Sequence, residues 1–266
     1  MQLSRRQFIG LVAAFGAGAR ARAVDLPFGL GRKDGFTFAA INDLHVLDAP
    51  STAIVNRAVA SINGNPEIAF TVVLGDLATA GKLVELGLAR KSLDRLDRPC
   101  FVVPGNHDVE TRSKDILGSY EKSFGDGCWS QKDRGWVFLG LDSCEGAASD
   151  VSVQPKRMDW LKKQVKRIDR DRPIALFAHH PFNPHSKAYR VKNADEVLGL
   201  FKDHCLRLVA TGHWHGNQVE EQNGVLFTTT ACCSSTRDNF DKTPEKGYRL
   251  FRVAEGTVTT EFVVVV

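Results

Sequence analysis

The sequence predicts an α/β fold with sheets stacked between helices. Up to about residue 215, short apolar runs alternate with segments of helical periodicity, the pattern of strand-helix units. From Gly216 the pattern changes to alternating runs joined by Asn223-Gly224 and Glu255-Gly256, both hairpin signals. A third observation is chemical: apolar runs repeatedly end in Asp, Asn or His.

Taken in order, a Gly-rich linker, residues 28–35, leads to a strand at Phe36–Ile41 that ends in Asn42-Asp43-Leu44-His45. Ser51 is the expected N-cap of a helix through Ile62, and Asn63-Gly64-Asn65-Pro66 stops it. Residues 69–74 are apolar throughout, as in a strand covered on both faces, and end in Gly75-Asp76. A helix over residues 82–96 and a strand over 100–103 follow, then Pro104 and Gly105 break the chain before Asn106-His107-Asp108. Residues 113–124 read as a short helix, 125–134 as a loop and 136–141 as a strand. Met158, Trp160, Leu161, Val165 and Ile168 give residues 154–169 an amphipathic helical face. The strand at 174–178 ends in His179-His180-Pro181, and a polar loop with His185, Lys187, Tyr189 and Arg190 follows. Asn193 is the expected cap of a helix through Phe201, and the strand at 206–210 runs into Gly212-His213-Trp214-His215. No repeat or interdomain linker interrupts the chain, so residues 24–266 are expected to form one domain. In such sheets ligands gather at the carboxyl ends of strands, where all these polar motifs fall.

The formal charge of +4 comes from the start of the chain. Residues 1–23 hold Arg5, Arg6, Arg20 and Arg22 and no acid, leaving 31 basic and 31 acidic residues elsewhere. The mature chain therefore carries no basic footprint for nucleic acid or an anionic membrane. Ser4-Arg5-Arg6-Gln7-Phe8-Ile9 resembles the twin-arginine export consensus. An apolar run to Ala19 and the small residues of Ala21-Arg22-Ala23 follow, as in a cleavable leader. Residues 1–23 are thus expected to be a signal peptide handled by the twin-arginine machinery, and the mature protein to be periplasmic or secreted. That route carries proteins already folded. Six cysteines, Cys100, Cys128, Cys144, Cys205, Cys232 and Cys233, show no zinc-ribbon spacing. Cys128 with Cys144, or either with Cys232 or Cys233, are the disulfides left open.

Singly, most of these motifs are ordinary. Asp43 and His45 could cap the next helix, and an Asp after Gly75 is common turn chemistry. His213 and His215, two apart, can face one centre. The ordered set is far more specific than its members. It resembles the calcineurin-like metallophosphoesterases, whose D-x-H, GD, GNH(D/E), H-x-P and GH-x-H elements occur here in that order between residues 36 and 215.

The resemblance implies a four-layer αββα sandwich and two metal ions. Asp43, His45 and His215 would hold one ion. Asn106, His179 and His213 would hold the other, with Asp76 bridging. His179 is preferred to His180 because the family ligand lies two residues before the proline. Imidazole and carboxylate donors together suit manganese, iron or zinc. A metal pair can generate a hydroxide nucleophile and clamp phosphoryl oxygens for in-line attack. His107 would donate a proton to the leaving group, with Asp108 orienting its ring. The expected activity is hydrolysis of a small phosphomono- or phosphodiester without a covalent enzyme intermediate. Purple acid phosphatases carry a metal-binding Tyr where this chain has Thr79, so a tyrosinate-iron site is disfavoured. A catalytically silent binding module on the same fold is the alternative, though such relatives lose ligands and none is lost here. Amidohydrolase and β-lactamase-like sites need His arrangements absent from the chain.

Overall fold

The computed structural model describes residues 35–111, 115–186, 188–254 and 256–266. The expected leader, with most of the linker after it, lies outside the described residues. In chain order the elements are β1 (Phe36–Ile41), α1 (Ala53–Gly64), β2 (Ile68–Leu74), α2 (Leu83–Leu93), β3 (Cys100–Val103), α3 (Gly118–Phe124), β4 (Trp129–Asp133), β5 (Trp136–Gly140), α4 (Pro155–Val165), β6 (Pro173–Phe177), α5 (Ala194–Gly199), β7 (Cys205–Thr211), β8 (Gln218–Gln222), β9 (Val225–Thr229), β10 (Gly247–Ala254) and β11 (Thr257–Val264).

They form two sheets, ordered β11-β10-β1-β2-β3 and β4-β5-β6-β7-β9-β8. The neighbours β1, β2 and β3 are parallel, as are β5, β6, β7 and β9. Side-chain alternation sorts each strand between two cores. Phe38, Ala40, Val72 and Leu74 meet Phe138, Phe177, Leu208 and Ala210 between the sheets. Ala39, Ile41 and Val73 instead meet Val55, Val59 and Ile62 of α1 and Leu86 and Ala89 of α2. On the far side, Leu139, Leu176 and Val209 pack against Met158, Leu161 and Val165 of α4 and Val197 of α5. Three apolar interfaces thus separate four layers, helix-sheet-sheet-helix, as the resemblance implied. Between the sheets the Phe38 ring is stacked between Phe70 and Phe251, with both centroids 4.9 Å away.

Several local expectations are corrected. Ser51 lies within a short 3-10 turn, Pro50–Thr52, that precedes α1. Pro50 opens that turn because its fixed φ suits a first helical position. Asp48 does the capping: its Oδ1 accepts the Ser51 N–H at 2.9 Å, and Ser51 Oγ accepts the Leu47 and Asp48 N–H groups. Asn193 precedes α5 but spends its amide on Val153, accepting that residue's N–H at 2.8 Å and donating to its carbonyl at 3.1 Å. It ties a loop rather than capping a helix. The helix expected to reach residue 169 ends at Val165. Residues 129–133 are a strand, not a loop, paired with β5 at the sheet edge. The two C-terminal hairpins separate: β10–β11 extend the first sheet, while β8–β9 enter the second, with β9 parallel to β7. All six cysteines are free thiols.

Candidate metal centre

The ends of β1, β2, β3, β6 and β7 converge, and those of β1, β2 and β7 do so in left-handed backbone. Asp43 (φ 52°), His45 (44°), Asp76 (53°), His213 (65°) and His215 (45°) all adopt it. For residues with a Cβ this costs about 1–2 kcal/mol each, a penalty that packing must offset. The gain is direction. Residues two apart turn toward one centre, while Leu44 and Trp214 between them are buried in the surrounding packing. Trp214 lies so close over Gly216 that a Cβ there would stand 2.1 Å from the ring, so it serves packing. Gly75 (φ 86°) and Gly105 let strand ends touch. A Cβ on Gly75 would lie 2.7 Å from His179 Nδ1, and one on Gly105 would lie 2.1 Å from Asp76 Oδ1.

Two clusters of donor atoms result. In one, His215 Nε2 lies 3.2 Å from both His45 Nε2 and Asp43 Oδ1, and Asp76 Oδ2 is 3.5 Å from His45 Nε2. In the other, His179 Nε2 lies 3.0 Å from His213 Nδ1, 3.2 Å from Asn106 Oδ1 and 3.4 Å from Asp76 Oδ1. Asp76 therefore offers one oxygen to each cluster. Donors held at about 2.1 Å around one ion stand roughly 3.0–3.4 Å apart when adjacent and about 4.2 Å when opposite, so these spacings, with His45 Nε2 4.0 Å from Asp43 Oδ1, are of the size that a metal in each requires. Tautomers fit as well. His179 Nδ1 meets the Leu74 carbonyl at 2.8 Å and His215 Nδ1 meets that of Asp238 at 3.1 Å, which places one ring proton there and makes Nε2 the atom that would meet a metal once its own proton has left. Asp43 is oriented too: its Oδ2 accepts the His213 N–H at 3.0 Å and the Asn42 side-chain amide, leaving Oδ1 toward the cluster.

Buried carboxylates and imidazoles set one another's charge in both clusters. Burial alone would raise Asp43, but His215 beside it holds the carboxyl at about 2. Burial would likewise raise Asp76, and His179 outweighs it, keeping the group well below the usual carboxylate range. Burial pushes His45 down to about 3 and His213 to about 4. Burial also opposes charge on His179 and His215, yet Asp76 lifts the first to about 9 and Asp43 the second to about 11. Each cluster thus pairs one neutral imidazole with one that keeps a proton against a carboxylate.

His107 stands beside this centre, its ring 4.8 Å from that of His45 at 80°. Its Nδ1 bonds the Thr79 carbonyl at 2.8 Å, leaving Nε2 as the free ring atom. The expectation that Asp108 orients His107 is corrected. Asp108 Oδ1 accepts the Ala78 N–H at 2.9 Å and Oδ2 the Gly105 N–H at 2.8 Å. It closes the 3-10 turn Asn106–Asp108 onto β2's end, because neighbours in such a turn project apart. Burial, reinforced by the charge of Asp76, raises Asp108 to about 8. His180 is fully buried beside the second cluster, with one ring nitrogen within 4.8 Å of donor atoms of His179 and His213. Its Nδ1 pairs with Ser143 Oγ at 2.9 Å and its ring rests 4.5 Å from His213, while His179 is the ring that meets Asn106 and Asp76. His185 and Arg190 of the polar loop are met by Glu220 at 2.5 Å and Asp195 at 2.6 Å. Sequence reasoning missed the orienting carbonyls of Leu74, Thr79 and Asp238, which have no side-chain signature. It also passed over Asn42, whose position before Asp43 was visible.

The fold and this site define a metal-dependent phosphoester hydrolase. The chain belongs to the calcineurin-like phosphoesterase family, whose pattern matches residues 36–217. It is 27% identical to a probable cyclic nucleotide phosphodiesterase of Synechococcus sp., over 77% of this chain and 82% of that protein. It is 29% identical to a probable glycerophosphodiester phosphodiesterase of Arcobacter nitrofigilis, over 67% of this chain and 68% of the other. In fold it matches a dimetal phosphatase from Danio rerio with a TM-score of 0.65 at 15% identity, covering 87% of this chain and 96% of that one.

Proposed function

We propose that the protein is a two-metal phosphodiesterase exported by the twin-arginine route. The observation that carries the reading is Asp76, with one carboxylate oxygen in each donor cluster. Asp43, His45 and His215 would hold one ion and Asn106, His179 and His213 the other. Manganese, iron or zinc suits these donors. When bound, such a pair neutralises phosphoryl charge and lowers the pKa of water. The chain supplies the rest. The Asp76 carboxylate fixes the spacing between the halves of the site. His107, its Nδ1 proton held by Thr79, presents Nε2 to the departing alkoxide as proton donor. The similarities to a probable cyclic nucleotide phosphodiesterase and a probable glycerophosphodiester phosphodiesterase favour diesters over monoesters. Export rests on Ser4-Arg5-Arg6-Gln7-Phe8-Ile9 and the apolar run after it.

The test compares bis(p-nitrophenyl) phosphate with p-nitrophenyl phosphate, using residues 24–266 loaded with manganese, iron or zinc. Faster diester cleavage is expected. Faster monoester cleavage would make the protein a phosphatase. No turnover of either with both metals bound would favour the silent binding module.

A further inference from the structure

Two aromatic rings stand at the mouth of the centre, one on each donor cluster. Phe240 is 53% exposed and stacks on His215, centroids 4.8 Å apart at 7°. Tyr189 is 39% exposed and meets His213 edge-on at 4.9 Å and 77°. Large exposed rings on free loops are ordinary, but these are held. The Phe240 N–H donates to the His215 carbonyl at 2.9 Å, and the Asp238 carbonyl faces His215 Nδ1. Between them Asn239 is buried, accepting the Cys232 N–H and donating to the carbonyls of Thr243 and Glu245. Tyr189 sits in left-handed backbone at φ 58°, flanked by the Ser186–Ala188 hydrogen bond and the Arg190–Asp195 pair. Phe240 gives one face to His215 and keeps the other for solvent. An ester whose phosphoryl group rests on both clusters would send its organic arms past these rings.

We propose that Tyr189 and Phe240 contact the organic arm that stays on phosphorus and make the site prefer diesters in which that arm bears a planar ring, as a nucleoside does, over those in which it is small and aliphatic. The inference rests on the two-metal phosphoester reading. Aromatic stacking on a base is sequence-tolerant and strong enough to change affinity about 10-fold or more per ring.

The experiment uses the metal-loaded protein and two diesters with one leaving group: thymidine 5'-(p-nitrophenyl phosphate) and methyl p-nitrophenyl phosphate. The wild type is expected to favour the nucleoside ester in kcat/KM. Phe240→Leu keeps apolar bulk against His215 but has no flat face, and Tyr189→Leu does the same at His213. Each is expected to lower the nucleoside-to-methyl ratio about 10-fold, mainly through KM, with two metals still bound. Phe240→Trp is expected to restore the ratio. A wild type without preference, or variants that slow both esters equally, would overturn the proposal. Failure of the loaded wild type on both esters would overturn the hydrolase reading itself.

Discussion

Asp76 Oδ1 accepts the backbone N–H of His107 at 2.8 Å, so the carboxylate shared by the two donor clusters also fixes the residue proposed as the acid. Asp76→Asn should therefore disturb both functions. Metal content is expected to fall below two per chain, and diester hydrolysis to fall on the order of 100-fold or more. Elemental analysis beside kinetics checks this; full metal occupancy in the variant would contradict it.

His107→Ala should separate chemistry from binding. His107 is in neither group of donor side chains, so two metals should remain. Hydrolysis of an alkyl ester, whose alkoxide needs a proton, is expected to drop about 100-fold to 10000-fold. Loss of p-nitrophenolate, already a stable anion, should change far less. Equal losses on both leaving groups would remove the proton-donor role.

Asp108 offers a contrasting prediction, because its oxygens hold the Gly105 and Ala78 N–H groups. Asp108→Asn keeps one acceptor and leaves a buried N–H without one, at about 1–3 kcal/mol. Chemical denaturation should read that loss. The difference in rate between alkyl and p-nitrophenyl leaving groups, which reports proton donation by His107, should be unchanged; its loss would restore the direct Asp108–His107 partnership.

The metal-free protein should be most stable near pH 6.5. His179 and His215, raised to about 9 and 11, add stability that is complete below 6.5 and is lost as pH rises through those values. His45 and His213, depressed to about 3 and 4, bind protons only when unfolded between those values and 6.5, so stability also falls toward acid. Metal must displace the protons on His179 and His215. Titration calorimetry at pH 7.5 in buffers of different ionisation enthalpy should show net proton release, and affinity should rise with pH.

Between the sheets, Phe38→Ala removes the ring stacked between Phe70 and Phe251. The expected cost is about 3–5 kcal/mol, measured by urea unfolding. A loss below about 1 kcal/mol would mean that the neighbouring rings collapse into the space.

The ligand motifs were legible because each is a contiguous group of polar side chains at the end of an apolar strand. Asp43 through His45 and His213 through His215 declare their chemistry within three residues. What sequence hid was partnership. Asp108 follows His107 in the chain but points elsewhere in space, while Thr79, which does hold the ring, contributes only a carbonyl. β4 was missed because Trp129–Asp133 is polar enough to read as loop and exists through pairing with β5. The placement of β9 beside β7 was equally hidden: a hairpin signal fixes which strands adjoin in sequence, not which sheet receives them.

The donors come from both halves of the sandwich. Asp43, Asp76 and Asn106 follow strands of the first sheet, and His179, His213 and His215 follow strands of the second. Filling the centre would therefore fasten the two sheets like a clasp, at the open end of a mainly apolar interface that few hydrogen bonds cross, among them Trp129 Nε1 to the Val102 carbonyl at 2.8 Å. Starving the cell of metal would then shorten the lifetime of the protein against proteases as well as silence it, so supply of the ion would govern how much enzyme persists.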